Sequence, residues 1–130
     1  LILGGQIAGR PPEALLVYPQ GNYIGASKAT PYLQIGETKY GKPILDRLAR
    51  PALTVAQAAS LALVSLDATE RSNVTVAAPF DFALYRRDSF QLPEPIRIDH
   101  QSAYYTQTCT AWQAGIEAMF QGLGPFPEGG

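Results

Sequence analysis

A chain of 130 residues is long enough for one domain with a real core and too short for two. Only 16% of it is charged against 46% hydrophobic, and a net charge of −1 without a lysine or arginine run argues against nucleic acid and membrane surfaces as partners. The single cysteine, Cys109, excludes an internal disulfide framework and fits a reducing compartment, and no apolar run reaches membrane-spanning length.

The chain opens strand-like in Leu1-Ile2-Leu3-Gly4-Gly5-Gln6-Ile7, with no polar lead-in, as though cut from a sheet. Arg10-Pro11-Pro12-Glu13 is a turn, because two prolines deny ladder hydrogen bonds. A strand over 14–18 follows, then a reversal at Gln20-Gly21-Asn22, where Gly21 and Asn22 tolerate positive φ. Leu33 and Ile35 alternate with Gln34, the period of a strand, so residues 1–36 read as a three-strand antiparallel meander. At Gly36 the apolar spacing changes. Ile44, Leu45 and Leu48 fit a helix over 37–49, in which Pro43 is tolerated only if regular turns start near Lys42.

Thr54-Val55-Ala56-Gln57 has the spacing of a capping box and starts the best-defined helix. Val55, Ala58, Ala59, Ala62, Leu63 and Leu66 form its apolar face, and it should end between 67 and 71. A strand is expected over 73–77, a break at Pro79-Phe80-Asp81, and another strand over 82–86. Leu92-Pro93-Glu94-Pro95 is a rigid loop, and Ile96-Arg97-Ile98 a short edge strand or extended coil. A long helix runs over 101–122, with Tyr105, Cys109, Trp112, Ile116, Met119 and Phe120 on one face. Gly122 and Gly124-Pro125 end it, leaving 126–130 as a loose tail of this single domain, 1–130. The order is strands, two helices, two strands and one helix. It gives an α/β fold in which the helices from Thr54 and Gln101 stack on sheets.

The sequence holds no nucleophile elbow, no paired histidines, no Walker loop and no C-x-x-C motif, so neither a metal nor a cofactor is expected. One constellation remains: Asp67-Ala68-Thr69-Glu70-Arg71-Ser72-Asn73, where a helix ends and a strand is expected to begin. Asp67 and Arg71, four apart, also suit a plain surface ion pair. Glu37 favours a helix N-terminus, or else adds a carboxylate to a site. His100 reads as a surface or capping residue, Cys109 as inert core, and Tyr105 and Trp112 as core or helix contacts.

The stretch from Tyr18 to Leu48 carries a resemblance. Its hairpin over 18–26 leads into Leu33-Gln34-Ile35-Gly36-Glu37-Thr38-Lys39-Tyr40-Gly41-Lys42-Pro43. This resembles proteasome-type subunits of the N-terminal-nucleophile hydrolases, and above all the bacterial Anbu, or ancestral beta subunit, family. The likeness continues to about Phe120 and covers the second half of such a subunit. The half that carries the nucleophile has no counterpart.

The resemblance implies part of a four-layer αββα sandwich with antiparallel sheets covered by helices. It implies a cytoplasmic, threonine-dependent peptidase that acts on peptide substrates and self-associates as a homo-oligomer, in a ring or an open, spring-like ring. It also implies site residues: Asp67 and Ser72 would hold the amine of the N-terminal threonine. The family spaces that aspartate and serine three apart, whereas Asp67 and Ser72 are five apart, so aligning the serine puts Thr69 in the aspartate's position. Without a threonine at its start, the chain is expected to be inactive alone. A non-catalytic ring subunit with a vestigial site is the competing reading, favoured by the low charge and the small residues of the last helix.

Overall fold

A computed structural model describes residues 1–129 as two antiparallel sheets and three helices. Strands β1 (Ile2–Gly5), β2 (Glu13–Val17) and β3 (Tyr23–Gly25) form the first sheet, with Ile2 paired to Leu16 and Leu15 to Gly25. The β2–β3 reversal falls where the sequence puts it. Gly21 takes a φ of 89° and its N–H donates to the Tyr18 carbonyl at 2.9 Å. Between β1 and the segment 85–88, Gln6 acts as a clasp: its side-chain oxygen accepts from the Tyr85 hydroxyl at 2.9 Å and the Asp88 N–H at 2.8 Å.

The strand expected at 33–35 does not form. That segment has no neighbouring strand among the described residues and runs instead along a cavity. Helix α1 (Lys42–Leu48) begins later than 37 because Pro43 needs the first turn, where no backbone N–H is required of it. Its end is closed by Arg50, whose guanidinium donates to the carbonyls of Ala49 at 2.7 Å and Arg47 at 2.8 Å. Gly41 precedes α1 because the helix start lies hard against α2: a Cβ there would collide with the Ser65 hydroxyl and crowd the Ser65 carbonyl.

Helix α2 (Val55–Ser72) starts on the capping box. Thr54 Oγ1 accepts from the Gln57 N–H at 3.1 Å, and Gln57 Oε1 accepts from the Thr54 N–H at 2.9 Å. Leu63 is fully buried, and Leu61, Val64 and Ala49 make a small core ringed by Tyr32, Ile44, Leu45, Leu53 and Trp112. The buried face is therefore rotated from the expected one. Ala58 is exposed, and Ala62 and Leu66 are half-buried along the cavity.

The strands expected at 73–77 and 82–86 are absent, and β4 is Phe80–Phe82, on the expected break. Two physical reasons account for this. The Asn73 side chain captures the Thr75 N–H at 2.9 Å, which turns the chain away from a ladder. Pro79 stands just outside β4, so its missing N–H removes no ladder bond. Strand β5 (Ile96–Ile98) forms as read, pairing Phe80 with Ile98 and Phe82 with Ile96, and Arg97 grips Asp81 across the ladder at 2.8 and 3.0 Å.

Helix α3 (Ala103–Gln121) follows an Asp99 turn that accepts the Gln101 N–H at 2.9 Å. Cys109 is buried, and Tyr105 and Trp112 are half-buried, as the stripe requires. Beyond Trp112 the helix is exposed throughout, with Ile116, Met119 and Phe120 in the open. The strongest helix contacts are with one another, α1 on α2 and α2 on α3. The inner face of α2 looks across a cavity of about 730 Å³ toward Ile2 of β1 and the segment 31–37. Residues 124–129 carry no helix or strand; residue 130 lies outside the described part.

Candidate active site

The last turn of α2 is where the cavity meets polar side chains. Its walls there are Ile35, Gly36, Glu37, Ser65, Thr69 and Val76. Gly36 has a φ of 77°, a conformation that favours glycine, and it turns the segment so that Glu37 reaches α2. The Glu37 carboxylate accepts from its own local backbone, the Lys39 N–H at 3.1 Å, and from the Asn73 side chain at 3.1 Å. It thus serves the local turn and the corner together. Thr69 is 4% exposed, lines the cavity and donates its hydroxyl to the Ser65 carbonyl at 2.9 Å, so its oxygen keeps acceptor capacity.

Asp67 and Ser72 do not come together. Five residues of helix separate them, about 140° around the axis. Ser72 is exposed at the end of α2, and only three residues, about 60°, separate it from Thr69. Asp67 is 6% exposed and faces α3. One carboxylate oxygen accepts from Arg71 Nε at 2.9 Å, so the expected ion pair exists. The other accepts from the Tyr105 hydroxyl at 3.1 Å.

Tyr105 is the residue that sequence reasoning missed. It reads there as core, yet its hydroxyl also lies 3.0 Å from Glu70 Oε2. Burial first, then the Glu70 and Asp67 carboxylates, push this phenol far above its ordinary range, so it stays protonated and donates. Nothing local announces the contact, because Tyr105 lies 35 and 38 residues from its two partners. Burial and the nearby Asp67 carboxylate push the Cys109 thiol up as well, which keeps it from being a nucleophile.

The cavity wall therefore holds two acceptors, the Glu37 carboxylate and the Thr69 hydroxyl oxygen, while Ser72 stands exposed at the end of α2 and is not part of that wall. Such a set can orient a protonated or hydrogen-bonding amine. Its own hydroxyls are not paired with a base, since Thr69 donates to a carbonyl. Among the described residues no group of three or more histidines, cysteines and carboxylates could hold a metal, and no helix is long and apolar enough to cross a membrane.

No protein-family model and no curated protein matches the chain. Solved structures do. The chain is similar to the helical assembly of the Anbu complex from Pseudomonas aeruginosa, at 48% identity and a TM-score of 0.90, over 97% of this chain and 52% of that one. It is similar to Anbu from Hyphomicrobium sp. strain MC1, at 42% identity and a TM-score of 0.91, over 98% and 55%. Against Anbu (ancestral beta-subunit) from Yersinia bercovieri the identity is 41% and the TM-score 0.92, over 98% and 55%. The chain thus spans about half the length of the structures it matches.

Proposed function

The chain belongs to the Anbu family, and from that premise we propose that it is the C-terminal half of a proteasome-like, threonine-dependent peptidase subunit. The observation that carries the reading is the match to Anbu chains along nearly its whole length. On this reading the other half of the subunit fills the cavity between α2 and the first sheet and completes a four-layer αββα sandwich. That half also brings the N-terminal threonine to the polar corner.

The chemistry needs a hydroxyl that attacks the peptide carbonyl and a base that takes its proton. An N-terminal threonine supplies both, since its α-amine titrates near ~8 without tuning. This half of the subunit orients the amine. Ser72 and the Thr69 oxygen, on adjoining faces of α2, are its acceptors, and Glu37 with Asn73 fixes the wall beside them. Asp67 acts from behind as a positioning residue, through Tyr105 and Arg71, by fixing the last turn of α2 against α3. The experiment is labelling of the full-length protein with a probe selective for N-terminal threonine, alongside hydrolysis of short fluorogenic peptides. Absence of both on the intact, assembled protein overturns the reading.

A second reading, a self-assembling subunit without turnover, is favoured by one observation. The outer half of α3 presents Ile116, Met119 and Phe120 to solvent, a surface that suits contact with another copy. Assembly is common to both readings, and in the first it accompanies activity. Sedimentation of the full-length protein tests it, and a stable monomer at micromolar concentration counts against both.

A further inference from the structure

Behind the proposed corner, one carboxylate gathers three segments of the chain. Glu70 sits on α2 one turn before Asn73, its side chain 17% exposed. It accepts from the Ala78 N–H at 3.2 Å; the Tyr105 hydroxyl, whose single proton is shared with Asp67, lies 3.0 Å away, and His100 Nε2 lies 2.9 Å away. The His100 ring meets the Tyr105 ring edge-on, at 5.0 Å between centroids. Asp67 and Arg71 on α2 complete the charged surroundings.

The loop that Glu70 reaches is the one that forms the corner. Asn73 turns it by accepting the Thr75 N–H and hydroxyl at 2.9 and 2.6 Å, and Val76 lines the cavity. Those bonds lie inside the loop and do not tie its far end to anything. Val74 is fully in solvent, so packing contributes little there. The Ala78–Glu70 bond is what returns the far end to α2.

We propose that Glu70 is a positioning residue, a latch whose grip on Ala78 fixes the loop 73–78 and so sets where Asn73 and Val76 stand at the corner. Tyr105 and His100 hold the latch in turn, which couples α3 to the site without contact between them. The proposal rests on the reading of this corner as the reaction site, and its test is arranged to separate the two.

Hydrogen exchange of the full-length protein is measured for the wild type, Glu70→Ala, Glu70→Gln and Tyr105→Phe. In Glu70→Ala, exchange across 74–78 should rise about tenfold while the α2 interior at 61–65 keeps its protection. Glu70→Gln, which keeps a carbonyl acceptor, should restore most of the Ala78 protection, and Tyr105→Phe should fall between the two. Peptide turnover by Glu70→Ala should drop several-fold in kcat with KM little changed. Unchanged exchange at 74–78 overturns the latch, and so does an equal rise at 61–65, which would mark a merely structural role. If the wild type shows no threonine-dependent turnover, the proposed function falls while the exchange comparison still decides the latch. Should Glu70→Ala fail to fold, the Gln and Phe variants carry the same comparison.

Discussion

Asn73 donates its side-chain amide to the Glu37 carboxylate at 3.1 Å, tying the end of α2 to a segment thirty-six residues earlier. The same side chain accepts the Thr75 N–H and hydroxyl through its oxygen. One residue therefore joins the glycine turn at Gly36, the last turn of α2 and the loop beyond it.

Asn73→Ala removes all of these bonds at once and should lower the stability of the full-length protein by about 1–3 kcal/mol. Asn73→Asp keeps an acceptor for Thr75 but sets a carboxylate against Glu37, so it should disturb the Gly36 side more than the loop. Urea unfolding of both variants, with hydrogen exchange of residues 36–40 and 74–76, separates the two contributions. Equal exchange in both segments for both variants would contradict the division.

Leu63 and Phe120 make a contrast between core and surface. Leu63 is fully buried, and Leu63→Ala should cost about 2–5 kcal/mol through lost burial and the cavity left behind. Phe120 is 69% exposed, and Phe120→Ala should change protomer stability by about 0.5 kcal/mol or less while weakening self-association. Thermal melts and sedimentation of the full-length protein read the two effects separately.

How much of this was legible in the sequence depended on how local the cause was. The Gln20–Asn22 reversal and the capping box at Thr54 depend on neighbours within four residues and stand where the residues put them, whereas the first helix starts at Lys42 and not at Glu37, at the limit that Pro43 sets. The α2 face came out rotated because the alanines Ala58 and Ala62 fit an apolar stripe while bearing little of the core, which Leu61, Leu63 and Val64 supply. Period-2 alternation at Leu33 and Ile35 signals an extended chain but not a partner strand. The stripe of α3 is continuous in sequence, but only its first half meets α2, because periodicity says nothing of how far a neighbouring helix extends. At the site, the i, i+4 pair of Asp67 and Arg71 was readable, whereas the Tyr105 bonds needed the fold to bring α3 to α2.

The acid side of the stability profile tests Glu70. Burial by itself raises this carboxyl, but His100, the Ala78 N–H and the Tyr105 hydroxyl outweigh it and hold the group below its ordinary range. A depressed folded pKa stabilises the fold above the unfolded value, near ~4.3, and that contribution is lost as pH falls through the folded value. Glu70→Gln should therefore be less stable than wild type at neutral pH, and the gap should narrow as the medium is acidified below about pH 4. Urea midpoints across that range check it. A gap that stays constant with pH would mean that the charge of Glu70 contributes nothing.

The decisive prediction concerns which face of α2 serves the reaction. If, as proposed, the threonine amine is held at the cavity end of α2, Ser72→Ala in the full-length protein should lower kcat while leaving KM nearly unchanged, because the proposed task of the hydroxyl is to orient a base and not to bind peptide. Thr69→Val keeps the shape of the side chain but removes its oxygen, and should lower kcat in the same way. Asp67→Asn keeps an acceptor for Tyr105 and weakens the grip on Arg71, so it should act mainly on stability. Its turnover should recover on cooling, as the fold recovers. The opposite pattern is equally clear. A loss of turnover in Asp67→Asn that cooling does not restore, with Thr69→Val fully active, would make Asp67 the amine's direct partner. That would require α2 to rotate toward the cavity once the other half of the subunit is present. Loss in all three variants without loss of stability would place both faces in the site, and full activity in all three would leave the corner purely structural.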